Sequence, residues 1–205
     1  MSNTAKGTIA SPPAPVRAGF AVRKASLADI PSLLALVNAF AARGIMLPRS
    51  EFEMAENIRD FSVIQLADRV AGCAALHFYT PKAAEVRSLA ILPDLQGYGA
   101  GKALVSSLER EAQAFGVQDL FAFTYIPDFF RKMGFTSIER GELPLKAWKD
   151  CLRCPKFQCC DEVAVIKRIP AGQARVLNTR ICGVSSALDS DPEPPVLLPV
   201  LRNPH

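Results

Sequence analysis

The chain has 205 residues, 49% hydrophobic and 21% charged, with a formal charge of +4, which fits one well-buried domain with tails. The basic excess is mild and holds no run of five or six Lys/Arg, so nucleic-acid binding is not favoured, while a local positive pocket for an anionic ligand is compatible with it. No segment reaches the roughly 18 consecutive apolar residues of a membrane span, and the N-terminus has no apolar core of a signal peptide, so a cytoplasmic location is expected, with no membrane partner.

Residues 1–18, with Ser11, Pro12, Pro13 and Pro15, read as a disordered leader. Alternation at Phe20, Val22 and Lys24 predicts a first strand over 19–24. Ile30, Leu33, Leu34, Val37, Phe40 and Ala41 then make one apolar helical face. Asp29 is its expected N-cap, Pro31 is tolerated only in the first turn, and Gly44 closes it. Ser50 and Glu53 form a capping box for a short helix reaching about Asp60. Strands are expected over 61–67 and 70–79, turning at Asp68-Arg69 as a hairpin.

A central strand over 85–91 is stopped by Pro93. The turn Gln96-Gly97-Tyr98-Gly99-Ala100-Gly101 follows, and a helix opens with Leu104, Leu108, Ala112 and Phe115 on one face, closed by Gly116. Further strands are expected over 120–125, 135–139 and 162–169. Pro127 opens a short helix ended by Gly134. Residues 170–205 are broken by six prolines and read as a tail. Residues 19–169 make one domain of α/β (α+β) class with a mixed sheet flanked by helices.

Strand, glycine turn and helix N-terminus together make an anion site, since small residues let backbone N–H groups converge and the helix dipole adds to their field. Gly97, Gly99 and Gly101 lack dinucleotide-fingerprint spacing, and Lys102 lacks the Ser or Thr of a Walker loop. In context, Gln96-x-x-Gly99-x-Gly101 after an apolar strand resembles the acyl-CoA loop of the GNAT acetyltransferases, and the FFRKMGF segment at 129–135 resembles that family's helix beside the cofactor. The resemblance, over about residues 20–169, implies the GNAT fold with a mostly antiparallel sheet. It implies acetyl-CoA as co-substrate, its pantetheine arm on Leu89, Ala90 and Ile91 where the strand splays at a bulge. Its phosphates would lie on Gln96, Gly97, Tyr98, Gly99, Ala100, Gly101 and Lys102, with Phe130 alongside.

LPLKAWKDCLRCPKFQCCDE at 143–162, the segment 44–50 and the segment 72–76 resemble the short single-domain amino-acid N-acetyltransferases of bacterial arginine synthesis, the N-acetylglutamate synthase class. In that class the acceptor is L-glutamate and the product N-acetylglutamate, the first step of arginine biosynthesis.

An amine must lose a proton to attack a thioester, and a nearby carboxylate can take it directly or through water. Glu85 is the leading base, and strand alternation puts Glu85, Arg87 and Leu89 on one face and Val86, Ser88 and Ala90 on the other. The alternative for Glu85 is a strand-start carboxylate paired with Arg87. A dicarboxylate acceptor calls for Arg or Lys: Arg49, whose loop resembles the substrate-binding arginine loop of the larger synthases, then Arg87, Lys146 and Arg153.

Two departures stand out. Many acetyltransferases carry a tyrosine, four residues before the Gly-Phe pair, that protonates the departing thiolate. This chain has Phe130 there, and Tyr125, at the end of the neighbouring strand, is the substitute. The larger synthases also carry an arginine on the segment of Tyr125 that is absent here, so the acceptor is gripped differently, with Lys146 and Arg153 the places to look.

Cys151-x-x-Cys154 with Cys159-Cys160 has partial zinc-site spacing. Adjacent Cys159 and Cys160 diverge, and no second C-x-x-C exists. A reduced loop lining the substrate side, anchored by Trp148 and Phe157, is the preferred reading, with no metal expected. Three other readings stay open: a different amino acid, peptide or small-amine acceptor on the same fold, a non-catalytic acyl-CoA-binding module, and a zinc-stabilised interaction module. A homodimer is possible.

Overall fold

A computed structural model describes residues 19–143, 152 and 154–170. Within these residues seven strands form one sheet: β1 (Ala21–Lys24), β2 (Phe61–Leu66), β3 (Arg69–Phe78), β4 (Ala83–Ile91), β5 (Asp119–Thr124), β6 (Thr136–Ser137) and β7 (Val163–Arg168). Their spatial order is β1-β2-β3-β4-β5-β7-β6. Every neighbouring pair is antiparallel except β4 with β5, which is parallel. Among the described residues, four α-helices flank the sheet: α1 (Ile30–Ala41), α2 (Glu51–Glu56), α3 (Ala100–Ala114) and α4 (Pro127–Arg131). This is the mixed, mostly antiparallel sheet with flanking helices expected of the GNAT fold.

The two sheet faces bury separate cores. On one, Leu104, Val105, Leu108 and Ala112 of α3 pack against Ile64, Leu76, Val86 and Val165, with Phe130 of α4 in the same cluster. On the other, Leu33, Leu36 and Val37 of α1 and Met54 of α2 pack against Phe61, Val63, Cys73, Ala75 and Ala90. Helical periodicity of three and four residues on α1 and α3 turns one face of each helix inward, while the period of two on β2 and β3 sends alternate side chains into the two cores.

The Ser50–Glu53 capping box forms as expected: Ser50 Oγ accepts from the Glu53 N–H at 3.2 Å, and Glu53 Oε2 accepts from the Ser50 N–H at 3.0 Å. Asp29 occupies the N-cap position of α1 without capping it through its side chain. Its carboxylate turns back instead, accepting from the Ser26 N–H at 2.7 Å and from the fork of Arg23 at 2.7 and 2.8 Å. The strand expected over 135–139 shortens to Thr136–Ser137, because it pairs only with β7 at the sheet edge.

The alternation expected along the central strand fails at its middle. From Arg87 to Ala90, β4 takes three steps while β3 takes two, from Ala75 to Cys73. The extra residue is a β-bulge, and Ser88 adopts φ +54° within it. The phase of the strand therefore reverses. Arg87 and Ala90 lie towards α1, while Val86, Leu89 and Ile91 lie towards α3. Leu89 does not share a face with Glu85 and Arg87, and Ala90 does not share one with Val86.

Candidate active site

β4 and β5 are paired only through Ala83↔Asp119, Ala84↔Leu120 and Glu85↔Phe121. Beyond Glu85 the two strands part, while β5 keeps its full register with β7 from Asp119↔Arg168 to Thr124↔Val163. The result is a wedge in the middle of the sheet, opening towards the C-terminal ends of two parallel strands. It forms a cleft of about 1230 Å³, lined on one side by β4 and on the other by Phe123, Thr124 and Tyr125. The bulge sits on its β4 wall. The Cys73 thiol donates to the Ser88 carbonyl at 3.5 Å, and burial pushes that thiol up to about 12, so it stays protonated.

The glycine turn closes one end. Gln96 Nε2 donates to the Ile91 carbonyl at 3.0 Å, clipping the turn to the end of β4. Gly97 (φ +83°) and Gly99 (φ +85°) are both left-handed, a conformation that costs other L-residues about 1–2 kcal/mol. Gly99 caps α3. The first amides of that 15-residue helix have no intrahelical acceptor, and Gly97, Gly99, Ala100, Gly101 and Lys102 line the cleft there. A Cβ at Gly101 would lie 3.4 Å from the Phe129 ring, so α3 and α4 meet closely at the mouth.

Glu85, Arg87 and Arg49 also line the cleft. Glu85 is only 8% exposed, and Tyr79 Oη donates to its Oε2 at 2.8 Å. Arg87 donates to Asn57 Oδ1 at 3.4 Å and lies 3.8 Å from Asp60, which is itself 2.7 Å from His77 Nδ1. Arg49 is placed through its backbone: Asn38 accepts from its N–H at 2.9 Å and donates to its carbonyl at 3.0 Å. The same cleft is thus lined by two guanidinium-bearing side chains and one buried carboxylate.

The opposite wall comes from the end of β5 and the cysteine-rich segment. Lys156 Nζ donates to Tyr125 Oη at 3.2 Å and stands 4.8 Å from the centre of its ring. Burial raises the Tyr125 phenol, the Lys156 ammonium opposes, and the carboxylates of Glu162 and Asp161 add to the rise. The net direction keeps Tyr125 protonated. Arg140 donates to Cys160 Sγ at 3.1 Å and to the Glu162 carbonyl, and lies 5.8 Å over the Phe123 ring. Glu162 is raised, chiefly by burial, with Arg140 opposing.

Most residues singled out from sequence come together here: Leu89, Ile91, Gln96, Phe130, Tyr125, Glu85, Arg87 and Arg49 all line the cleft. Ala90 and Tyr98 are not among the lining residues. Ala90 is buried in the α1-side core, a consequence of the bulge, and Tyr98 is exposed. Phe157 lines the cleft but is 37% exposed, so it is not a core anchor. Lys146, Arg153, Trp148 and Cys151 lie outside the described residues, as do the leader and all of the tail beyond Pro170.

Seven of the lining side chains are Arg or Lys and two are carboxylates. Residues 38–135 match the acetyltransferase (GNAT) family model. An uncharacterised N-acetyltransferase of Chlorobaculum tepidum is 42% identical over 148 residues, covering 72% of this chain and 96% of that one. The chain belongs to the GNAT acetyltransferase family.

An amino-acid acetyltransferase of Mycobacterium tuberculosis is 34% identical to this GNAT chain over 161 residues, covering 76% of this chain and 92% of that one. Among solved structures, the N-acetylglutamate synthase of Neisseria gonorrhoeae in complex with coenzyme A and N-acetyl-glutamate superposes with a TM-score of 0.68. It shares 27% identity, and the match covers 74% of this chain and 35% of that one.

Arg140, Lys156, Glu162 and Phe123 are among the cleft residues of this GNAT domain that escaped the sequence reading as site candidates. Glu162 and Phe123 were accessible from pairing alone, since a final strand antiparallel to β5 sets Glu162 beside Tyr125. Arg140 had no such signal, because it sits in a 3₁₀ turn over Arg140–Glu142. Among the described residues, no three His, Cys, Asp or Glu side chains gather as a metal site.

Proposed function

We propose that this chain transfers the acetyl group of acetyl-CoA to the α-amine of L-glutamate, giving N-acetylglutamate. One observation carries the reading. The wedge between β4 and β5 has an amide-rich, left-handed glycine turn at one end, and its lining holds a buried carboxylate, Glu85, together with Arg87 and Arg49. The first feature suits a pyrophosphate and the second an amine carrying carboxylates. The M. tuberculosis amino-acid acetyltransferase and the N. gonorrhoeae synthase support the choice of acceptor.

The residues present fit acetyl-CoA. Its phosphates would rest on the N–H groups of residues 97–102, near the Lys102 ammonium. Its arm would run along Leu89 and Ile91, where the bulge leaves β4 backbone outside the regular ladder. The acyl group is supplied as a thioester, already activated towards amines. Arg49 and Arg87 take the acceptor's carboxylates and turn its amine towards Glu85. As the new C–N bond forms and the C–S bond breaks, Glu85 accepts the amine proton, directly or through water, and Tyr125 gives a proton to the sulfur. Backbone amides at the bulge polarise the carbonyl oxygen. Amine and thioester meet directly, so no acyl-enzyme is required.

The test is thiol release from acetyl-CoA across a panel of amino acids, with product mass confirmed. Saturable release with L-glutamate, and little with L-glutamine, supports the reading. Release with another amine but not with glutamate replaces the acceptor. No release with any amine, alongside tight coenzyme A binding, overturns catalysis in favour of an acyl-CoA-binding module.

A further inference from the structure

The base candidate is not held by its own strand alone. Tyr79 follows the last residue of β3, and its N–H donates to the Ala83 carbonyl at 3.0 Å, so Tyr79 stands opposite Ala83. Glu85 is then its diagonal neighbour on the same sheet face, within reach of a long side chain. The phenol is fixed before it arrives: its ring lies 5.7 Å from Phe121, which is fully buried, and meets His77 edge-on at 4.9 Å. From that position Oη donates to Glu85 Oε2 at 2.8 Å.

We infer that Tyr79 is a positioning residue for the base, fixing the Glu85 carboxylate in its ionised, proton-accepting form at the mouth of the β4–β5 wedge. This rests on the reading of Glu85 as the base. A phenol donating to a carboxylate oxygen stabilises the anion more than the neutral acid, and it selects one rotamer of a side chain that would otherwise swing. Two other titratable groups near Glu85 also have partners of their own. His77 faces it across the β3–β4 ladder but is bonded to Asp60, and Arg87 on the same strand reaches Asn57 and Asp60. Arg49, Tyr125 and Glu162 line the same cleft from other elements.

Tyr79→Phe removes the hydroxyl and keeps the ring. Two measurements are made on the full chain. Carboxyl ¹³C NMR titration of Glu85 in the protein alone is expected to move upward in the variant, whatever the acceptor proves to be. The pH profile of kcat/KM, taken with the best acceptor in the panel, is expected to shift its acid limb upward. The loss should approach about tenfold on the acid limb and vanish on the alkaline side of it, as for a hydrogen bond to a charged group, with KM for acetyl-CoA unchanged. A purely structural role lowers activity equally at every pH and leaves the titration in place, which overturns the inference.

Glu85→Gln separates the two readings. If it abolishes turnover and Tyr79→Phe moves nothing, the inference fails and the base stands. If Glu85→Gln turns over normally, the base reading itself fails. Tyr79→Phe placed on Glu85→Gln should cost nothing further, and an undiminished second loss also overturns the inference.

Discussion

Gly72 lies on β3 opposite Ile91, the last residue of β4. A Cβ there would sit 2.6 Å from Ile91 Cδ1, 3.1 Å from the Ala90 carbonyl oxygen and 3.3 Å from Ile64 Cγ1. The Ile91 methyl can swing, but it must retreat from 2.6 Å to an ordinary 3.4 Å or more, and the Ala90 carbonyl belongs to backbone. Overpacking of this kind costs about 2 kcal/mol, or a fall in Tm of roughly 4–8 °C for a domain of this size. The displacement also points at the site. Ile91 lines the cleft, and its carbonyl holds Gln96 at the start of the glycine turn. Gly72→Ala is therefore expected to raise KM for acetyl-CoA several-fold and to leave KM for the acceptor nearly unchanged. Thermal denaturation and steady-state kinetics with each substrate varied in turn measure both. A variant that melts with the wild type, or one whose acceptor KM alone rises, refutes the argument.

Arg49→Ala removes a guanidinium from the acceptor side. It should raise acceptor KM about 10- to 100-fold, as for loss of a charge-assisted pair, with acetyl-CoA KM unmoved in initial-rate assays. Tyr125→Phe should lower kcat on the order of 100-fold or more. Because the Tyr125 phenol lies above its usual range, the wild type should hold its proton-donor activity to about pH 10, and any alkaline limb in the kcat profile should be missing from the variant. The Arg23 fork holds the Asp29 carboxyl well below the usual carboxylate range. Its contribution is therefore present above the unfolded pKa, near 4, and lost as pH falls through the lower folded value. Asp29→Asn should cost about 1–2 kcal/mol at pH 7, less than a fully buried pair because Arg23 is partly exposed, and the gap to wild type in urea midpoints should narrow below about pH 4.

Elements whose periodicity belongs to one buried face were legible from sequence. The faces of α1 and α3, the Ser50–Glu53 box, and the breaks at Pro93 and Gly116 each rest on contacts a few residues apart. Asp29 was legible as a boundary but not as a partner, because its carboxylate is drawn to Arg23 on a different element. The site divides the same way. The glycine turn and its helix announce themselves within seven residues. Arg140, Lys156 and Glu162 come near Tyr125 only through the β5–β7 register and the turns on either side of β7, so no local spacing marks them. Tyr79 looked like the end of a hairpin strand. Its meeting with Glu85 depends on the β3–β4 register, which alternation alone does not supply.

The bulge at Ser88 was the least legible feature and does the most to arrange the cleft. An unbroken strand would put Glu85, Arg87 and Leu89 on one face and keep the β4 backbone in the ladder with β3 throughout. One extra residue, admitted by a left-handed Ser88 and tied by the Cys73 thiol, reverses the phase. Arg87 then keeps to the α1 side, among Asn57 and Asp60, while Leu89 and Ile91 turn to the α3 side that leads into the glycine turn. A single strand can thus present cationic charge before the bulge and an apolar wall to the cleft after it. Deleting Ser88 would remove the one extra residue and bring β4 back into step with β3, leaving Leu89 and Ile91 on the α3 side but returning to the ladder the backbone that the bulge had freed.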